Sequence, residues 1–269
     1  ASFEADGFQL QAIDVIRGVE RAVRNNVLVW SNFDLEWFEY CDHPGTADLH
    51  SIVPNKFVAF KGPKKTGAFH RQTGIVDLTP KDYFEIFHRM GVTGVVRLND
   101  EQYPAQDFLD GGFNHHDIYF DDCTTPDETT LNKWFEVCRR ERGAIAVHCK
   151  AGLGRTGTLI CCWLMRKYRF TGREAIGYVR VMRPGSILGS QQDFLEENQE
   201  YLWALGDPDL EPGPEGDCVA VERPELTEED LRRQAAVQEE ALRRAQENTD
   251  AMQRRERERA ARKGAVFQQ

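Results

Sequence analysis

Two residues, Cys149 and Arg155, have the types and the spacing that phosphoryl transfer to sulfur requires. They enclose five residues within the segment 148–157, HCKAGLGRTG, which lies between two apolar runs. A cysteine thiolate is a strong nucleophile, and the planar fork of an arginine can bind two phosphate oxygens. A cysteine that was merely buried at a strand end would not require an arginine at this distance. We therefore predict that Cys149 is the nucleophile and that Arg155 grips the phosphate.

The residues between these two side chains suit a phosphate-binding loop. A strand, a glycine-containing turn and a helix start, in this order, direct backbone N–H groups and the positive end of the helix dipole at an anion. The same field stabilises a thiolate. The segment lacks the Gly-Lys-Ser/Thr ending of a nucleotide-binding loop. The predicted phosphate-binding residues are Lys150, Ala151, Gly152, Leu153, Gly154 and Arg155.

Side chains next to the loop are candidates for the supporting steps. His148 is expected to brace the loop by hydrogen bonds and not to act as a base. Thr156 is placed to hydrogen-bond the sulfur and help it leave. Gln191, with its neighbour Gln192, could position a hydrolytic water, although both would be equally unremarkable at the start of a solvated helix.

A leaving alkoxide needs a proton, and an aspartate on a loop upstream of Cys149 is the expected donor. Asp122 is favoured because it follows the strand-like run 117–120 and precedes a turn at 124–126 that could carry the carboxylate over the pocket. Asp121 is the alternative, and a turn or helix-capping role for Asp122 stays open at this point.

The order of predicted elements indicates an α/β fold, with a central, mostly parallel sheet flanked by helices. Apolar residues recur at helical spacing over 10–26, and a capping threonine followed by proline opens a helix at residue 80. The further predicted helices are 128–140 and 157–168, and the predicted strands are 57–60, 93–98, 113–120 and 144–148.

Composition narrows the class of protein. A chain of 269 residues with 41% hydrophobic residues can bury one ordinary α/β core. No apolar run reaches the roughly 18 residues of a membrane span, so we expect no span. The net charge of −10 argues against general nucleic-acid binding and fits a positively charged partner.

The cysteines and histidines favour reduced thiols without a metal. The seven cysteines are an odd number without regular spacing, which favours an intracellular protein. The adjacent pairs 115–116 and 161–162 would be poor metal sites, since neighbouring residues of a strand point to opposite faces. We predict neither a metal nor another cofactor.

The composition changes abruptly after residue 206. Residues 207–230 hold ten acidic residues, one arginine and four prolines, which predicts an acidic linker. A capping-box pattern at 227–230 then opens a charged segment, 231–269, expected to be a helical or disordered tail. The tail is basic near its end and is a candidate anchor.

Several segments together resemble the cell-division-cycle fourteen family of dual-specificity phosphatases, in the protein-tyrosine-phosphatase superfamily. They are the active-site stretch 144–160, the RPGSI run at 183–187 with Gln191 and Gln192, and VRLN at 96–99. The resemblance runs from near the N-terminus to about residue 207. It implies a dual-specificity phosphatase fold with an inert first domain, of which residues 1–30 resemble the last part. It further implies a helical acidic linker at 31–55 and a catalytic domain at 56–206.

The resemblance also implies roles for individual residues. It implies that Cys149 is the nucleophile and that Arg155 binds the phosphate. It also implies that Asp122, and not Asp121, is the general acid. This chain departs from the family pattern at Cys123, where the family has glycine. Phosphoserine followed by proline, with a basic residue downstream, is the implied substrate. Two acidic residues, Glu39 and Asp42, match the family's acidic linker residues and would lie on one helix face.

Three functions are compatible with these residues. The favoured one is a protein phosphatase that acts on phosphoserine-proline sites, with phosphothreonine and phosphotyrosine as further candidate substrates, and so opposes cyclin-dependent kinases. An inositol-lipid phosphatase is less favoured, because related loops carry a lysine where this chain has Leu153. A scaffold attached through its tail to a cytoskeletal or centrosomal anchor is the third. The resemblance suggests nucleus, centrosome, spindle or cilium base as locations.

Overall fold

The structure, a computed structural model, describes most of the chain. The described residues are 8–70, 75–206, Thr227, Glu228, Arg232 and Ala236. Almost all of the predicted acidic linker (207–230) and of the predicted tail (231–269) therefore lies outside them, as do residues 1–7. No helix among the described residues is both long and apolar enough to cross a bilayer.

Helices and strands alternate between residues 84 and 168 of the described part of the chain. The strands are β1 Leu49–Val53, β2 Phe57–Phe60, β3 Phe69–His70, β4 Ile75–Val76, β5 Val92–Arg97, β6 Asn114–Asp117 and β7 Ala144–His148. The α-helices are α1 Ala12–Arg24, α2 Leu35–Asp42, α3 Phe84–Arg89, α4 Gln106–Asp110, α5 Glu128–Arg140, α6 Gly154–Tyr168, α7 Gly172–Met182, α8 Ser190–Glu197 and α9 Gln199–Ala204. Short 3-10 helices are Trp30–Asn32 and Pro80–Tyr83.

By packing, these residues divide into two compact units. The larger unit holds the described residues up to Gly67 and from Leu78 to Gly206, and it contains the main sheet. In the smaller unit, β3 pairs antiparallel with β4, and Nε2 of His70 lies 2.8 Å from Oδ2 of Asp77.

The main sheet has the strand order β1-β2-β7-β5-β6. The strands β2, β7, β5 and β6 are parallel, and β1 is antiparallel to β2. The central strand β7 is buried at every residue, as the unbroken apolar run of a parallel strand requires. The predicted α/β fold with a mostly parallel, helix-flanked sheet is confirmed.

Alternate residues of the central strands face different layers of helices. Phe57 and Val147 belong to the core beneath α5 to α8. On the other face, the Phe60 ring packs against Tyr83, directly before α3, with ring centroids 4.9 Å apart, and against His148, also at 4.9 Å. This alternation places Cys149, directly after β7, on the side of the sheet that α6 covers.

The predicted helical linker at 31–55 is helical at α2 but not at its end. Residues Leu49–Val53 form strand β1, which pairs with β2 from Leu49↔Phe60 onward. Leu49 and Ile52 are fully buried there, so the segment gains an apolar environment and a ladder of hydrogen bonds that a solvated linker would lack. This part of the linker prediction is wrong.

Two predicted boundaries also differ. Strand β6 covers only Asn114–Asp117 of the predicted strand 113–120, although the N–H groups of Ile118 and Phe120 still donate to the carbonyls of Arg97 and Leu98. Helix α6 begins at Gly154 and not at residue 157, and the backbone N–H of Gly157 already donates to the carbonyl of Leu153. The earlier start puts Arg155 in the first turn of the helix.

Helix α1, in the segment predicted as a domain remnant, packs closely on α7. A Cβ on Gly18 would lie 2.2 Å from the carbonyl oxygen of Glu174, so only glycine allows this approach. Nε of Arg21 lies 2.8 Å from Oε2 of the same glutamate. The packed face therefore centres on Gly18, whereas Ile13 and Ile16 of the predicted apolar stripe are exposed.

Candidate active site

The site lies at the carboxyl edge of the parallel strands. The strands β5 and β7 are adjacent and in register at Arg97↔His148, so the residues that follow them meet at one edge of the sheet. Leu98 follows β5, and its N–H donates to the carbonyl of His148. Cys149 follows β7 and is buried. Ligand sites of open α/β sheets occur at such edges.

The residues between Cys149 and Arg155 form a cradle of backbone donors. Gly152 has a φ of +69°, and a Cβ there would lie 2.0 Å from the carbonyl oxygen of Phe60, so the turn requires glycine at this position. Within the described residues, the backbone N–H groups of residues 150–153 donate to no protein acceptor. The loop therefore presents four N–H groups, next to the start of α6, that suit a tetrahedral anion.

Arg155 is held by both neighbouring strand ends. Its Nη1 donates to the carbonyl of Leu98 at 3.2 Å and to the carbonyl of Phe120 at 2.8 Å. The side chain is buried, and its Nε has no hydrogen-bond partner among the described residues. An unpaired buried guanidinium N–H is costly unless an anion accepts from it. The position of Arg155 is therefore that of an anion ligand.

The two candidate aspartates face different partners. Oδ1 of Asp122 lies 3.0 Å from Nη2 of Arg155. Oδ1 of Asp121 instead accepts from the hydroxyl of Tyr119 at 2.7 Å, on the exposed side of the loop. The geometry thus brings Asp122, and not Asp121, to Arg155.

The residue after Asp122 has an unusual backbone. Cys123 is exposed and has a φ of 60°, in the left-handed region that favours glycine. The family resemblance implies glycine here, and the backbone keeps the conformation that glycine would adopt most easily. The N–H of Cys123 donates to Oδ1 of Asp122 at 3.1 Å, which holds the carboxylate toward the site.

His148 is fixed behind the cradle by a chain of hydrogen bonds. Its Nδ1 donates to the carbonyl of Cys149 at 3.0 Å, so its Nε2 accepts from the hydroxyl of Tyr103 at 2.6 Å. The Tyr103 oxygen in turn accepts from Nε2 of His115 at 3.1 Å. Complete burial lowers the pKa of His148 to about 3, and the ring is neutral. This geometry fits the predicted bracing role.

A second arginine supports the loop from outside, and its sequence motif alone does not indicate this role. Arg183 is buried and donates from Nε to the carbonyl of Gly152 at 2.8 Å and from Nη2 to the carbonyl of Ala151 at 3.0 Å. Its charge is balanced by Asp48, at 2.9 Å. Two loop carbonyls are thereby turned away from the cradle, so that the N–H groups face inward.

The two glutamines have different surroundings. Gln191 is buried, and its Nε2 donates to the carbonyl of Thr124 in the loop that carries Asp122, at 3.1 Å. A Cβ on Gly154 would lie 2.8 Å from Oε1 of Gln191, so this amide also touches the phosphate loop. Gln192 is instead held by Nη2 of Arg180 at 2.7 Å, away from both loops.

Thr156 is fully buried in the first turn of α6, and its hydroxyl has no partner among the described residues. A buried hydroxyl in this state is available to a sulfur or an anion at the loop. Lys150, the first residue of the cradle, is exposed, and its carbonyl accepts from the N–H of Gly62.

The two predicted specificity residues lie on α2, with exposed side chains. Oδ1 of Asp42 lies 3.1 Å from Nε2 of His50, although the angle is poor for a hydrogen bond. Nδ1 of His50 accepts from Nη1 of Arg183 at 2.9 Å. The side chains of His50 and Arg183 therefore lie between Asp42 and the phosphate loop, because Arg183 contacts the carbonyl of Gly152. Glu39 lies three residues earlier on the same helix.

Several supporting residues have no signal in the sequence. Tyr103 lies in an irregular segment and His50 in the strand β1 that was expected to be a linker, and no periodicity indicates burial of either. Arg180 holds the loop before Gln191 through the carbonyls of Ser186 and Ile187. Among the described residues, no group of three or more potential ligands could hold a metal ion.

A buried cysteine after a central strand, a cradle of N–H groups and an arginine in the following helix turn define the phosphate loop of cysteine-dependent phosphatases. Residues 71–199 match the family described as dual specificity phosphatase, catalytic domain. The chain belongs to the dual-specificity phosphatases, within the protein-tyrosine-phosphatase superfamily, and is similar to the CDC14 proteins among them.

Two relatives show the degree of similarity. The chain is 42% identical over 207 residues to the human dual specificity protein phosphatase CDC14A, and 43% identical over 207 residues to zebrafish (Danio rerio) CDC14AB. Each alignment covers 77% of this chain and 34% of the relative, so the chain spans about a third of their length. The crystal structure of PTPMT1 in complex with PI(5)P aligns with a TM-score of 0.48 and 20% identity, over 58% of this chain and 97% of that chain.

Proposed function

We propose that this chain is a metal-independent protein phosphatase that hydrolyses phosphoserine, and also phosphothreonine and phosphotyrosine, through a cysteinyl-phosphate intermediate. The observation that carries the proposal is the meeting of three groups at one sheet edge. They are the buried Cys149, the anion-binding cradle that ends in Arg155, and the Asp122 carboxylate 3.0 Å from that arginine.

In the first step, the sulfur of Cys149 attacks phosphorus, the S–P bond forms, and the bond from phosphorus to the serine oxygen breaks. The cradle N–H groups and Arg155 hold the equatorial oxygens through the transfer, as phosphoryl transfer requires. Asp122 enters this step protonated and gives its proton to the leaving serine oxygen. The 3.0 Å distance from its Oδ1 to Nη2 of Arg155 supports this role.

In the second step, a water attacks phosphorus, the S–P bond breaks, and the Cys149 thiolate leaves. Asp122, now a carboxylate, takes the proton of the water. Gln191 touches both the acid loop and the phosphate loop, so its amide is positioned to orient this water. The Thr156 hydroxyl stabilises the departing thiolate. The net reaction converts a phosphoserine and water into serine and phosphate.

For the substrate we propose phosphoserine followed by proline, with a basic residue near the third position after it, the kind of site made by cyclin-dependent kinases. An extended peptide covers about 10 Å in three residues. Asp42 lies two side chains from the phosphate loop, through His50 and Arg183. The carboxylates of Asp42 and Glu39 can therefore receive a basic side chain while the cradle holds the phosphate.

The test is phosphate release from matched phosphopeptides, with a lysine or an alanine at the third position after phosphoserine-proline. Replacing Glu39 and Asp42 together by lysine should lower kcat/KM for the lysine peptide roughly 5- to 150-fold, about 1 to 3 kcal/mol, and leave an aryl phosphate nearly unchanged. The control reverses Glu197 and Glu200, two exposed carboxylates with the same spacing outside α2. Equal discrimination by the Glu39/Asp42 variant and the parent would refute the specificity proposal. No release from any phosphopeptide would refute the activity.

A further inference from the structure

A cavity of about 270 Å³ opens between α5 and α6, on a part of the molecule that the phosphatase reaction does not use. Its lining includes Trp163 and Arg166, which are nine and twelve residues after Gly154 in α6. At about 1.5 Å of rise per residue, they lie roughly 14 and 18 Å along the helix from the phosphate loop. The cavity is therefore separate from the active site.

The cavity is cationic, although the chain has a net charge of −10. Four basic side chains line it against one carboxylate, that of Glu136. This carboxylate is already paired with Arg139, at 2.8 Å, and with Arg140, at 2.5 Å. Among the described residues, the excess positive charge of the cavity thus comes chiefly from Lys56 and Lys167.

The two lysines lack anionic side-chain partners within the described residues. Nζ of Lys56 donates to the carbonyl of Cys138 at 2.7 Å. Nζ of Lys167 lies over the rings of Trp163, at 5.3 Å, and Tyr168, at 5.4 Å. Burial lowers the pKa of Lys56 and the charge of Lys167 lowers it further, while the charge of the Glu141 carboxylate offsets only part of this shift. An anion in the cavity would relieve this repulsion.

The chain itself supplies such an anion beside the cavity. Nε of Arg166 donates to the carbonyl of Leu205 at 2.7 Å, so the residue that follows α9 lies against the cavity rim. Two residues later the acidic stretch begins, and residues 207–217 contain five acidic residues and no lysine or arginine. We propose that the cavity is a docking site for an acidic peptide segment and that its occupant is the segment 207–217 of this chain.

Tethering favours this occupant over an acidic segment of another protein. A binding segment attached through a short linker has an effective concentration in the millimolar range. The first carboxylate, Asp207, is within about 7 Å of chain reach from Leu205. Docking would hold the segment 207–217 at the cavity between α5 and α6, which is remote from the phosphate loop.

Zero-length carbodiimide cross-linking of the full chain, mapped by mass spectrometry, tests the contact directly, because the reagent joins a lysine amine only to a carboxylate that touches it. We expect links from Lys56 or Lys167 to carboxylates of residues 207–217. The yield should fall several-fold at about 1 M salt, where the Debye length is about 3 Å. Absence of any link between the cavity lysines and this segment would overturn the proposal.

Charge reversal at the cavity tests whether electrostatics holds the segment there. Lys167→Glu should lower the yield of links from Lys56 to the segment several-fold, because it adds a negative charge to the cavity. Combining Lys167→Glu with Asp207→Lys exchanges the amine and the carboxylate, and it should produce a new link between positions 167 and 207. Undiminished Lys56 links in the single variant, or no new link in the combined variant, would contradict the proposal.

Lys133→Glu is the matched control, because Lys133 is an exposed residue of α5 that does not line the cavity. It should leave the cross-links of Lys56 and Lys167 unchanged. Lys167→Gln serves as a second variant in case a carboxylate in the last turn of α6 impairs folding, and it should weaken the Lys56 links in the same direction. Unchanged turnover of a small aryl phosphate shows that each variant is folded.

A labelled peptide with the sequence of residues 207–217 identifies the occupant. It should bind poorly to the parent chain and at least several-fold better to a variant whose five acidic residues in this segment are neutralised to asparagine and glutamine. Equal binding to both would overturn the proposal in favour of an external acidic partner. Binding to neither would show that the cavity does not hold this segment.

Discussion

Replacing Asp122 by asparagine should have two effects of opposite sign. The carboxylate lies 3.0 Å from Nη2 of Arg155, and its side chain is 56% exposed. As the proposed general acid it speeds loss of a serine alkoxide, and such groups contribute about 10²- to 10⁴-fold. As an ion-pair partner it competes with phosphate for the arginine. Asparagine removes both the proton and the competing charge.

The two magnitudes follow from different principles. For a phosphoserine peptide, kcat should fall by about 10²- to 10⁴-fold, or roughly 3 to 5 kcal/mol of barrier. For an aryl phosphate, whose leaving group needs little protonation, the fall should be far smaller. The exposed ion pair is worth about 0.2 to 1 kcal/mol, so an oxyanion such as tungstate should bind up to about fivefold more tightly to the variant.

The assay is steady-state turnover of both substrates, with tungstate inhibition measured alongside. Asp121→Asn is the matched control, since that carboxylate accepts from Tyr119 and does not reach the arginine. Equal losses on the serine peptide and the aryl phosphate would refute the role of Asp122 as an acid. Weaker tungstate binding to Asp122→Asn would refute the competition for Arg155.

Two further predictions rest on the same structure. Gln191→Ala should slow hydrolysis of the intermediate more than its formation, so stopped-flow measurements should show a burst of released serine peptide. Gln192→Ala should show no burst, because Arg180 holds the Gln192 side chain outside the site. Burial lowers the pKa of His50 and His115 to about 4 and that of His148 to about 3, so the unfolded chain binds more protons below about pH 6.5. Urea unfolding should therefore show stability that is full above about pH 6.5 and declines as the pH falls toward about 4, by up to about 1.4 kcal/mol per pH unit for each histidine. A flat profile between about pH 6.5 and 5 would contradict this linkage.

The elements that position Cys149 can be predicted because their signals are local. The apolar run of β7, the glycines after it and the apolar helix that follows are contiguous in sequence, and their order determines the edge of the sheet where Cys149 lies. The predicted start of α6 is three residues late, because the glycine at 154 indicates a loop when it is considered alone. In the fold it opens the helix.

The supporting residues cannot be predicted in the same way because their contacts are long-range. Arg183 reaches the carbonyl of Gly152, thirty-one residues earlier in the chain, and Tyr103 reaches His148 from the segment that follows β5. The local pattern does not distinguish β1 from a linker, since its pairing with β2 depends on a register that only the folded sheet specifies.

Trapping the phosphorylated enzyme tests the central claim most directly. The chain would be mixed with a phosphoserine-proline peptide, quenched in denaturant within the first turnover, digested and analysed by mass spectrometry. We expect one phosphoryl group on the peptide that contains Cys149, and neither adduct nor turnover with Cys149→Ser, which should still bind the phosphopeptide. Phosphate release without an adduct on Cys149, or turnover by Cys149→Ser near the parent rate, would contradict the assignment of the nucleophile.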